Sequence, residues 1–185
     1  MIITETAIVG VLVLEPRVFV DERGFFFESF NEDHFNSIGR VTGAGAYRFV
    51  QDNHSRSVKN TIRGLHYQIH QAQGKLARVV AGEVFDVVVD LRESSPTFGN
   101  WIAERLSAEN KKMIWIPPGM AHGFMAMTEH ADLLYKTTDF WAPKHERTIV
   151  WNDPDLAINW PLDGLPVIAP KDLAGERLAA AEVYP

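Results

Sequence analysis

The chain of 185 residues is long enough for a substantial buried core, and we expect residues 1–185 to form one domain. A hydrophobic fraction of 46% and a charged fraction of 23% are ordinary for a globular protein, so the composition gives no indication of disorder. The net charge of −6 argues against general affinity for nucleic acid, and the absence of cysteine excludes disulfides, thiolate metal sites and cysteine nucleophiles.

The N-terminal residues give no sign of a membrane segment. The apolar run at residues 7–14 is too short to span a bilayer. Glu5, with no basic residue before it, is not typical of a signal peptide. We therefore expect a cytoplasmic protein that does not bind membranes.

The first predicted elements are two strands. Apolar and β-branched residues dominate residues 11–20, where Pro16 either confines the strand to an edge or marks a bend. After a turn at residues 21–24, three consecutive phenylalanines open a second strand at residues 25–30. Because neighbouring side chains on a strand point to opposite faces, at least one phenylalanine should face a ligand or a partner subunit.

A short helix is predicted next, over residues 32–38, with Asn31 as its N-cap and Gly39 as its C-terminal stop. A series of short apolar strands separated by Gly, Asn and Ser turns then fills the middle of the chain, which is typical of an all-β sandwich or barrel. The later strands are predicted at residues 98–106, 113–116, 124–127 and 133–140.

Two further elements are predicted from local patterns. A hairpin is predicted around Gly82, with strands at residues 76–81 and 83–91. Its second strand places Asp86 and Asp90 on one face, which is expected to be either exposed to water or engaged with cations. Residues 172–182 are rich in helix formers and predict a terminal helix. The fold class is therefore mainly β, with a few short peripheral helices.

The stretch at residues 63–75 concentrates polar groups suited to catalysis. It holds a guanidinium at Arg63, an imidazole at His66 and an ammonium at Lys75, which could meet one small anionic ligand that bears a carbonyl. His66 and Gln68 share a strand face, whereas Arg63 falls on the other face. If Arg63 and His66 serve one site, Gly64 must supply a bulge that redirects the strand.

A second candidate is the run Pro-Pro-Gly-Met-Ala-His, which ends at His122 and fixes an imidazole after a tight loop. It resembles the second motif of the cupin superfamily, whose members are jelly-roll β-barrels. The first cupin motif contains His-x-His, but this chain has His66-Tyr67-Gln68. With only two histidine ligands left, metal catalysis is the less favoured interpretation.

A closer resemblance spans nearly the whole chain in order. The matching runs are Asp-Glu-Arg-Gly-Phe-Phe-Phe-Glu at 21–28, Gln-Asp-Asn-His-Ser at 51–55, Arg-Gly-Leu-His-Tyr-Gln at 63–68, Gly-Lys-Leu at 74–76, Gly-Glu-Val-Phe-Asp-Val at 82–87, Ala-His-Gly-Phe at 121–124, Tyr-Lys at 135–136 and Trp-Asn-Asp-Pro at 151–154. Together they are similar to the dTDP-4-dehydrorhamnose 3,5-epimerase family.

This resemblance implies a cupin-type enzyme without a metal or other cofactor. Its substrate would be a dTDP-linked 4-keto-6-deoxy sugar in which the two carbons flanking the ketone, C3 and C5, are inverted. In the family pattern His66 matches the base, Asp172 the carboxylate that pairs with it, Lys75 the cation that stabilises the enolate and Tyr135 the acid. A base, a cation and an acid on opposite faces of the sugar are what this chemistry requires.

The resemblance also implies binding residues and a homodimer that exchanges its N-terminal strands. Gln51 and Asn53 share a strand face and match nucleotide contacts, and Arg63 and His122 match groups near the sugar and diphosphate. The remaining matches are Arg23, Phe26 and Glu28, which the family contributes from the partner subunit, and the outer contacts Glu146 and Lys171. Solvated surface charge, or core packing for Phe26, explains these last five about equally well.

Three alternatives remain open. Related enzymes with the same base invert only one carbon or move the ketone between neighbouring carbons. A metal-dependent cupin such as a dioxygenase would carry a stoichiometric metal ion. A sugar-nucleotide binding module without activity would leave the substrate protons at C3 and C5 unexchanged in D₂O.

Overall fold

The computed structural model describes residues 1–42 and 46–185. In chain order the elements are β1 (Ile2–Glu5), β2 (Leu12–Glu15), β3 (Phe19–Asp21), β4 (Gly24–Phe26), α1 (Glu32–Thr42), β5 (Gln51–Val58), β6 (Thr61–Gln68), β7 (Lys75–Ala81), β8 (Glu83–Asp90), β9 (Trp101–Ser107), β10 (Met113–Ile116), β11 (Met120–Ala126), β12 (His130–Thr137), β13 (Glu146–Thr148), β14 (Val167–Ile168) and α2 (Pro170–Leu173). A 3₁₀ turn follows at Leu178–Ala180.

Most strands belong to two large sheets that enclose one apolar core. The first sheet has the order β1-β2-β10-β7-β12-β5, and the second has the order β13-β6-β11-β8-β9, with β14 beside β6. Side chains from both sheets, such as Val79, Val88 and Leu133, pack in the space between them. This arrangement confirms the predicted mainly β sandwich with few short helices.

The outer face of each sheet is also covered. On the first sheet Phe35 of α1 packs edge-on against Trp115 of β10, with ring centroids 5.0 Å apart. On the second sheet Ile149 and Trp160, from the C-terminal part of the chain, pack against apolar side chains of β6 and β8. The central strands β8, β10 and β11 are therefore buried on two faces, whereas β1 is exposed and β5 alternates between partly buried and exposed positions.

Strand β8 carries two aspartates, Asp86 and Asp90, whose environment differs from the prediction. Val88 faces the core between the sheets and Val87 faces the outer layer, so the predicted two-residue period is correct. Asp86 and Asp90 are fully buried, and the predicted wet face is wrong. The alternative, engagement with a cation, holds for Asp90, which accepts hydrogen bonds from the guanidinium of Arg92 at 2.7 and 2.8 Å.

The predicted hairpin around Gly82 is wrong. Strand β7 pairs with β10 and β12 in the first sheet, whereas β8 pairs with β9 and β11 in the second. The tight hairpin turns need two residues between the strands, and only Gly82 lies there. With a left-handed φ of +70°, Gly82 instead carries the chain from one sheet to the other.

The predicted terminal helix over residues 172–182 is also wrong. Only α2 and the short 3₁₀ turn are helical there. Between them Glu176 is bonded to the backbone of Thr148 and Val150, which adds the segment to the sheet rather than to a helix. A side chain at Gly175 would lie 2.8 Å from the nitrogen of Val150, so this approach depends on glycine.

Helix α1 begins where predicted and ends later. The side chain of Asn31 accepts a hydrogen bond of 3.0 Å from a backbone N–H of the first turn, as an N-cap should. The helix continues through Gly39, so the predicted end is wrong. A glycine costs a helix about 1 kcal/mol. We attribute the continuation to the burial of Phe35 and Ile38 against the first sheet.

The N-terminal strands divide at Pro16 as predicted, since β2 ends at Glu15 and β3 begins at Phe19. The strand predicted over residues 25–30 is shorter, because β4 ends at Phe26 and Phe30 packs edge-on against Phe49. Among residues 1–42 and 46–185, strands β3 and β4 pair only with each other. We call residues 19–26 the arm; among its exposed side chains, Phe26 is 69% accessible.

The later predicted strands overlap the observed ones. Strand β10 coincides with the predicted range 113–116, and β9, β11 and β12 match with displaced ends. None of the helices within residues 1–42 and 46–185 is long and apolar enough to cross a membrane.

Replacing Gly82 by alanine should lower the free energy of unfolding more than replacing Gly99 by alanine. Both glycines have a left-handed φ, +70° and +74°, so they share a conformational cost of about 1–2 kcal/mol. Only at Gly82 would the new Cβ lie 2.0 Å from the backbone oxygen of His130; at Gly99 the nearest atom is 3.6 Å away, on Leu178. Urea unfolding measures the difference, and equal losses would contradict the close crossing at Gly82.

Candidate active site

A cavity of about 750 Å³ is lined by strands of both sheets and by the C-terminal segment. Its size falls within the range of small-molecule sites. Most of the predicted site residues line it: Gln51, Asn53, Arg63, His66, Lys75, His122, Tyr135, Glu146, Lys171 and Asp172. The structure therefore brings together residues that lie up to 121 positions apart in the sequence (172 − 51).

Strand β6 carries Arg63 and His66 into the same cavity by means of a β-bulge. His66 is paired with His122 of β11, and Arg63 is paired with Phe124, so two residues of β6 lie opposite the single residue Gly123. This extra residue reverses the alternation of side chains along the strand. The bulge predicted at Gly64 is confirmed, and it explains how two residues an odd number apart share one site.

Asp172 fixes both the imidazole of His66 and the bulge beside it. Its Oδ1 lies 2.6 Å from Nε2 of His66, and its Oδ2 accepts a hydrogen bond of 3.2 Å from the backbone N–H of Gly64. Burial would raise the pKa of Asp172, but its bond with His66, the N–H of Gly64 and the charge of Lys171 together lower it. The carboxylate therefore stays ionised and orients the ring.

Lys75 enters the cavity from β7, on the opposite sheet from His66. Its side chain is buried, with Nζ donating to the backbone oxygen of His66 at 3.3 Å. Burial lowers the pKa of Lys75 from 10.5 to about 8, although the carboxylates of Asp86 and Glu146 act in the other direction. An ammonium in such a site is a strong partner for a developing negative charge, because little water competes with it.

Tyr135 lies on β12, which belongs to the same sheet as Lys75 and faces β6 across the cavity. Burial raises the pKa of its phenol; Glu146 adds to that shift and Arg63 opposes it. The phenol therefore keeps its proton near neutral pH. A ligand in the cavity would have the imidazole of His66 on one side and this phenol on the other.

His122 forms a second buried pair between an imidazole and a carboxylate. Its Nε2 lies 2.9 and 3.0 Å from the two carboxylate oxygens of Asp86, and both side chains are buried. Within residues 1–42 and 46–185, no group of three His, Cys, Asp or Glu side chains is arranged to hold a metal ion.

The rim of the cavity is polar. Gln51 and Asn53 share the inward face of β5, as predicted, and are hydrogen-bonded to each other at 3.0 Å. On the other side Glu146 and Lys171 form an ion pair of 3.2 Å. Each of these side chains already has a protein partner, but amide and charged groups at a rim can exchange such partners for a polar ligand.

Three predicted site residues do not line the cavity of their own chain. Arg23 and Phe26 belong to the arm, and Glu28 follows it. Arg23 is hydrogen-bonded to Asp21, and Glu28 accepts from Asn31 at 3.2 Å. The sequence predicted these residues as contributions from a partner subunit, and that part stays a prediction.

Several residues that line the cavity were not predicted from the sequence. Ser55 and Ser57 continue the inward face of β5 that Gln51 and Asn53 begin, and the two-residue period would have identified them. Trp141 stands at the rim with 58% of its surface exposed, just beyond the predicted strand at residues 133–140. Gln68 was noted only for the face it shares with His66.

The arrangement can remove a proton from one face of a ligand and return one from the other. His66, held by Asp172, offers a base on one sheet, while Tyr135 offers an acidic proton on the facing sheet. Lys75 lines the same cavity as a buried cation, on the sheet that carries Tyr135. These groups suit carbon acids that are activated by a carbonyl.

The two facing antiparallel sheets and the titratable groups between them define a cupin-type enzyme. A family model described as dTDP-4-dehydrorhamnose 3,5-epimerase matches residues 5–180. The chain belongs to this family and is an isomerase. The resemblance found in the sequence is thereby confirmed.

Known proteins resemble the chain over almost its full length. The dTDP-4-dehydrorhamnose 3,5-epimerase of Pseudomonas aeruginosa is 59% identical, covering 98% of each chain. The crystal structure of a dTDP-6-deoxy-D-glucose-3,5-epimerase from Legionella pneumophila, in complex with dTDP-4-keto-L-rhamnose, is 49% identical with a TM-score of 0.92, covering 97% of this chain and 94% of that one. A 3'-monoepimerase from Streptomyces bikiniensis, in complex with dTDP-quinovose, is 32% identical with a TM-score of 0.87, covering 94% and 86%.

The buried charge of Lys75 should make stability depend on pH. Its folded pKa of about 8 lies below the usual 10.5, so between these values the unfolded chain binds more protons than the folded one. The free energy of unfolding should therefore rise with pH from 8 to 10.5, by up to about 3 kcal/mol, relative to Lys75→Met. Urea unfolding of both proteins across this range measures the difference, and a constant difference would contradict the lowered pKa.

Proposed function

We propose that this chain inverts C3 and C5 of dTDP-4-dehydro-6-deoxy-D-glucose to give dTDP-4-dehydro-L-rhamnose. The observation that carries the proposal is the placement of His66 and Tyr135 on facing sheets of one cavity, which the buried Lys75 also lines. The relatives named above support the choice of substrate, since one of them was solved with dTDP-4-keto-L-rhamnose.

In the first step, His66 takes the proton from a carbon next to the ketone. Nε2 of the ring faces Asp172, so Nδ1 is the nitrogen available to the substrate. As the carbon loses its proton, its electron pair forms the double bond of an enolate and the ketone oxygen becomes negative. Asp172 stabilises the imidazolium that forms, and the ammonium of Lys75 stabilises the oxygen.

In the second step, the hydroxyl of Tyr135 donates its proton to the same carbon from the opposite face, which inverts the configuration. The enolate electrons return to the carbon, and the ketone is restored. Tyr135 becomes a tyrosinate and His66 an imidazolium, so both must exchange a proton with solvent before the second carbon reacts. The raised pKa of Tyr135 ensures that the phenol holds a proton at the start.

We assign the remaining lining residues to binding. Arg63 and His122 line the cavity with His66 and suit the sugar and the diphosphate, for which guanidinium and imidazole are good donors. Gln51 and Asn53 offer amides to the nucleotide, and the exposed indole of Trp141 offers it a flat surface for stacking. Glu146 and Lys171 form the outer rim.

The arm supports a homodimer as part of this proposal. An isolated two-stranded hairpin is marginally stable in water, and this one exposes Phe19, Val20, Phe25 and Phe26. A second copy of the chain would bury these side chains and bring Arg23, Phe26 and Glu28 to the other subunit's cavity. We further propose that residues 1–185 act as one domain and that the reaction takes place in the cytoplasm.

A second candidate is a single-carbon epimerase, which the similarity to a 3'-monoepimerase favours. The two proposals differ in which carbons exchange protons with solvent. Incubation with dTDP-4-keto-6-deoxyglucose in D₂O, followed by NMR, reports both carbons at once. Deuterium at C3 alone would favour the single-carbon epimerase over the 3,5-epimerase. If neither carbon exchanges its proton, a binding module without activity is favoured. A stoichiometric bound metal in the purified protein would favour a metal-dependent cupin.

His66→Ala should abolish deuterium exchange at C3 and C5, because it removes the group that takes both protons in the proposed mechanism. We expect a loss of at least about a thousandfold, the scale seen when a general base and its orientation are removed. Circular dichroism checks that the variant is folded. Near-normal exchange in a folded variant would show that the base is wrongly assigned.

Tyr135→Phe should separate proton removal from inversion. With His66 and Lys75 intact, exchange at the reacting carbon should continue, while product formation falls by about a hundredfold or more. NMR of one D₂O reaction measures both quantities. An equal loss of exchange and product would argue against Tyr135 as the acid.

Mixing two inactive variants should restore activity if the arm completes the partner's cavity. His66→Ala subunits refolded with Arg23→Ala/Phe26→Ala subunits would form heterodimers in which one of two cavities is intact, giving about one quarter of the wild-type activity. The control mixture pairs His66→Ala with Tyr135→Phe, whose defects leave no intact cavity in any dimer. Equal activity in the two mixtures would contradict the shared cavity.

A further inference from the structure

Gln68 lies two residues beyond His66 on the catalytic strand, at the place where the first cupin motif has its second histidine. Its side chain is buried, with 4% of the residue exposed. Nε2 donates to the backbone oxygens of Gln71 at 2.7 Å and Phe140 at 3.2 Å, and Oε1 accepts from the N–H of Ala142 at 2.8 Å. The amide is therefore fully engaged with backbone groups of two loops.

These loops form different parts of the cavity. The loop at residues 69–74 leads directly into Lys75. The loop at residues 138–142, which we call the rim loop, carries Phe140 and Trp141, whose side chains are 59% and 58% exposed. Because these large side chains make few packing contacts, their positions depend on the backbone hydrogen bonds of the rim loop.

The rim loop is held on both sides of the cavity. The side chain of Gln51 on β5 accepts from the N–H of Trp141 at 3.1 Å, and Gln73 donates to the oxygen of Asp139 at 2.9 Å. Gln68 supplies two bonds to this loop from the strand that carries His66. It is thus the link between the catalytic strand and the rim.

We propose that Gln68 is a positioning residue that sets the rim loop, and with it the affinity for the nucleotide part of the substrate, without acting on the proton transfers. This inference rests on the proposed function, in which Trp141 contacts the nucleotide. A neutral histidine has one donor and one acceptor, whereas the amide uses two donor bonds and one acceptor bond here. The position therefore supports the rim in a way that a metal ligand would not.

The test compares wild type with Gln68→Met, which keeps the length of the side chain and removes all three bonds. The oxygen of Phe140 and the N–H of Ala142 then lose their partner, so the loop should shift toward water. We expect Kd for dTDP and KM for dTDP-4-keto-6-deoxyglucose to rise about tenfold, the effect of one or two hydrogen bonds, while kcat changes less than about threefold. Calorimetry gives Kd, and steady-state kinetics give KM and kcat.

Tyr184→Phe is the matched control. The hydroxyl of Tyr184 donates a hydrogen bond of 2.6 Å to the backbone oxygen of Gln68. The variant removes this bond but leaves the side-chain amide of Gln68 and its three hydrogen bonds in place. We expect a lower melting temperature with Kd and KM unchanged. Amide hydrogen exchange at residues 139–142 should be faster in Gln68→Met and unchanged in Tyr184→Phe.

Wild-type affinity for dTDP in Gln68→Met, or a loss confined to kcat, would overturn the inference. If wild type neither binds dTDP nor exchanges substrate protons, the proposed function fails. Hydrogen exchange at residues 139–142 then still decides whether Gln68 holds the rim loop. If Gln68→Met does not fold, Gln68→Glu is the alternative variant. Its carboxylate keeps the acceptor oxygen and removes the two donor bonds. An unchanged rate of amide hydrogen exchange at Phe140 would then contradict the inference.

Discussion

The carboxylate of Asp172 is the contact on which the site depends. One of its oxygens holds the ring of His66 and the other holds the backbone N–H of Gly64, in the middle of the bulge. The bulge is what turns Arg63 and His66 toward the same cavity. A single side chain from the C-terminal segment therefore fixes the orientation of the imidazole of His66 and the shape of the strand that presents it.

The sandwich supplies the rest of the geometry. Because β6 and β12 lie in different sheets, groups on them approach a bound ring from opposite faces without any movement of the backbone. The buried Lys75 is an unfavourable charge in the free protein, and the surrounding strands must offset its cost. In the proposed mechanism a negative oxygen develops beside this charge, so the local loss of stability would serve catalysis.

Much of this arrangement could be predicted from the sequence, because short-range patterns determined it. The two-residue period identified the strands and the shared face of Gln51 and Asn53, and the parity of Arg63 and His66 pointed to a bulge at Gly64. The family resemblance, rather than any local pattern, related Asp172 to His66.

The structural predictions that were wrong concern segments whose conformation depends on contacts between residues far apart in the chain. Gly82 has the local pattern of a hairpin turn, but β7 pairs with β10 and β8 pairs with β11, and both partners come later in the chain. The segment near Glu176 contains helix formers, but its hydrogen bonds go to Thr148 and Val150. Trp141 gave no periodic signal, since it does not belong to a packed face of the sandwich.

The distance between His66 and Asp172 along the chain, 106 residues, also orders events during synthesis. Ribosomes add about 5–20 residues per second, so β6 exists for about 5–20 s before its carboxylate partner has been made. During that time the imidazole has no Asp172 to orient it, and the bulge lacks one of its two anchors. A nascent chain can thus form much of the sandwich while the site remains incomplete, and competence for chemistry arrives as one of the late steps of translation.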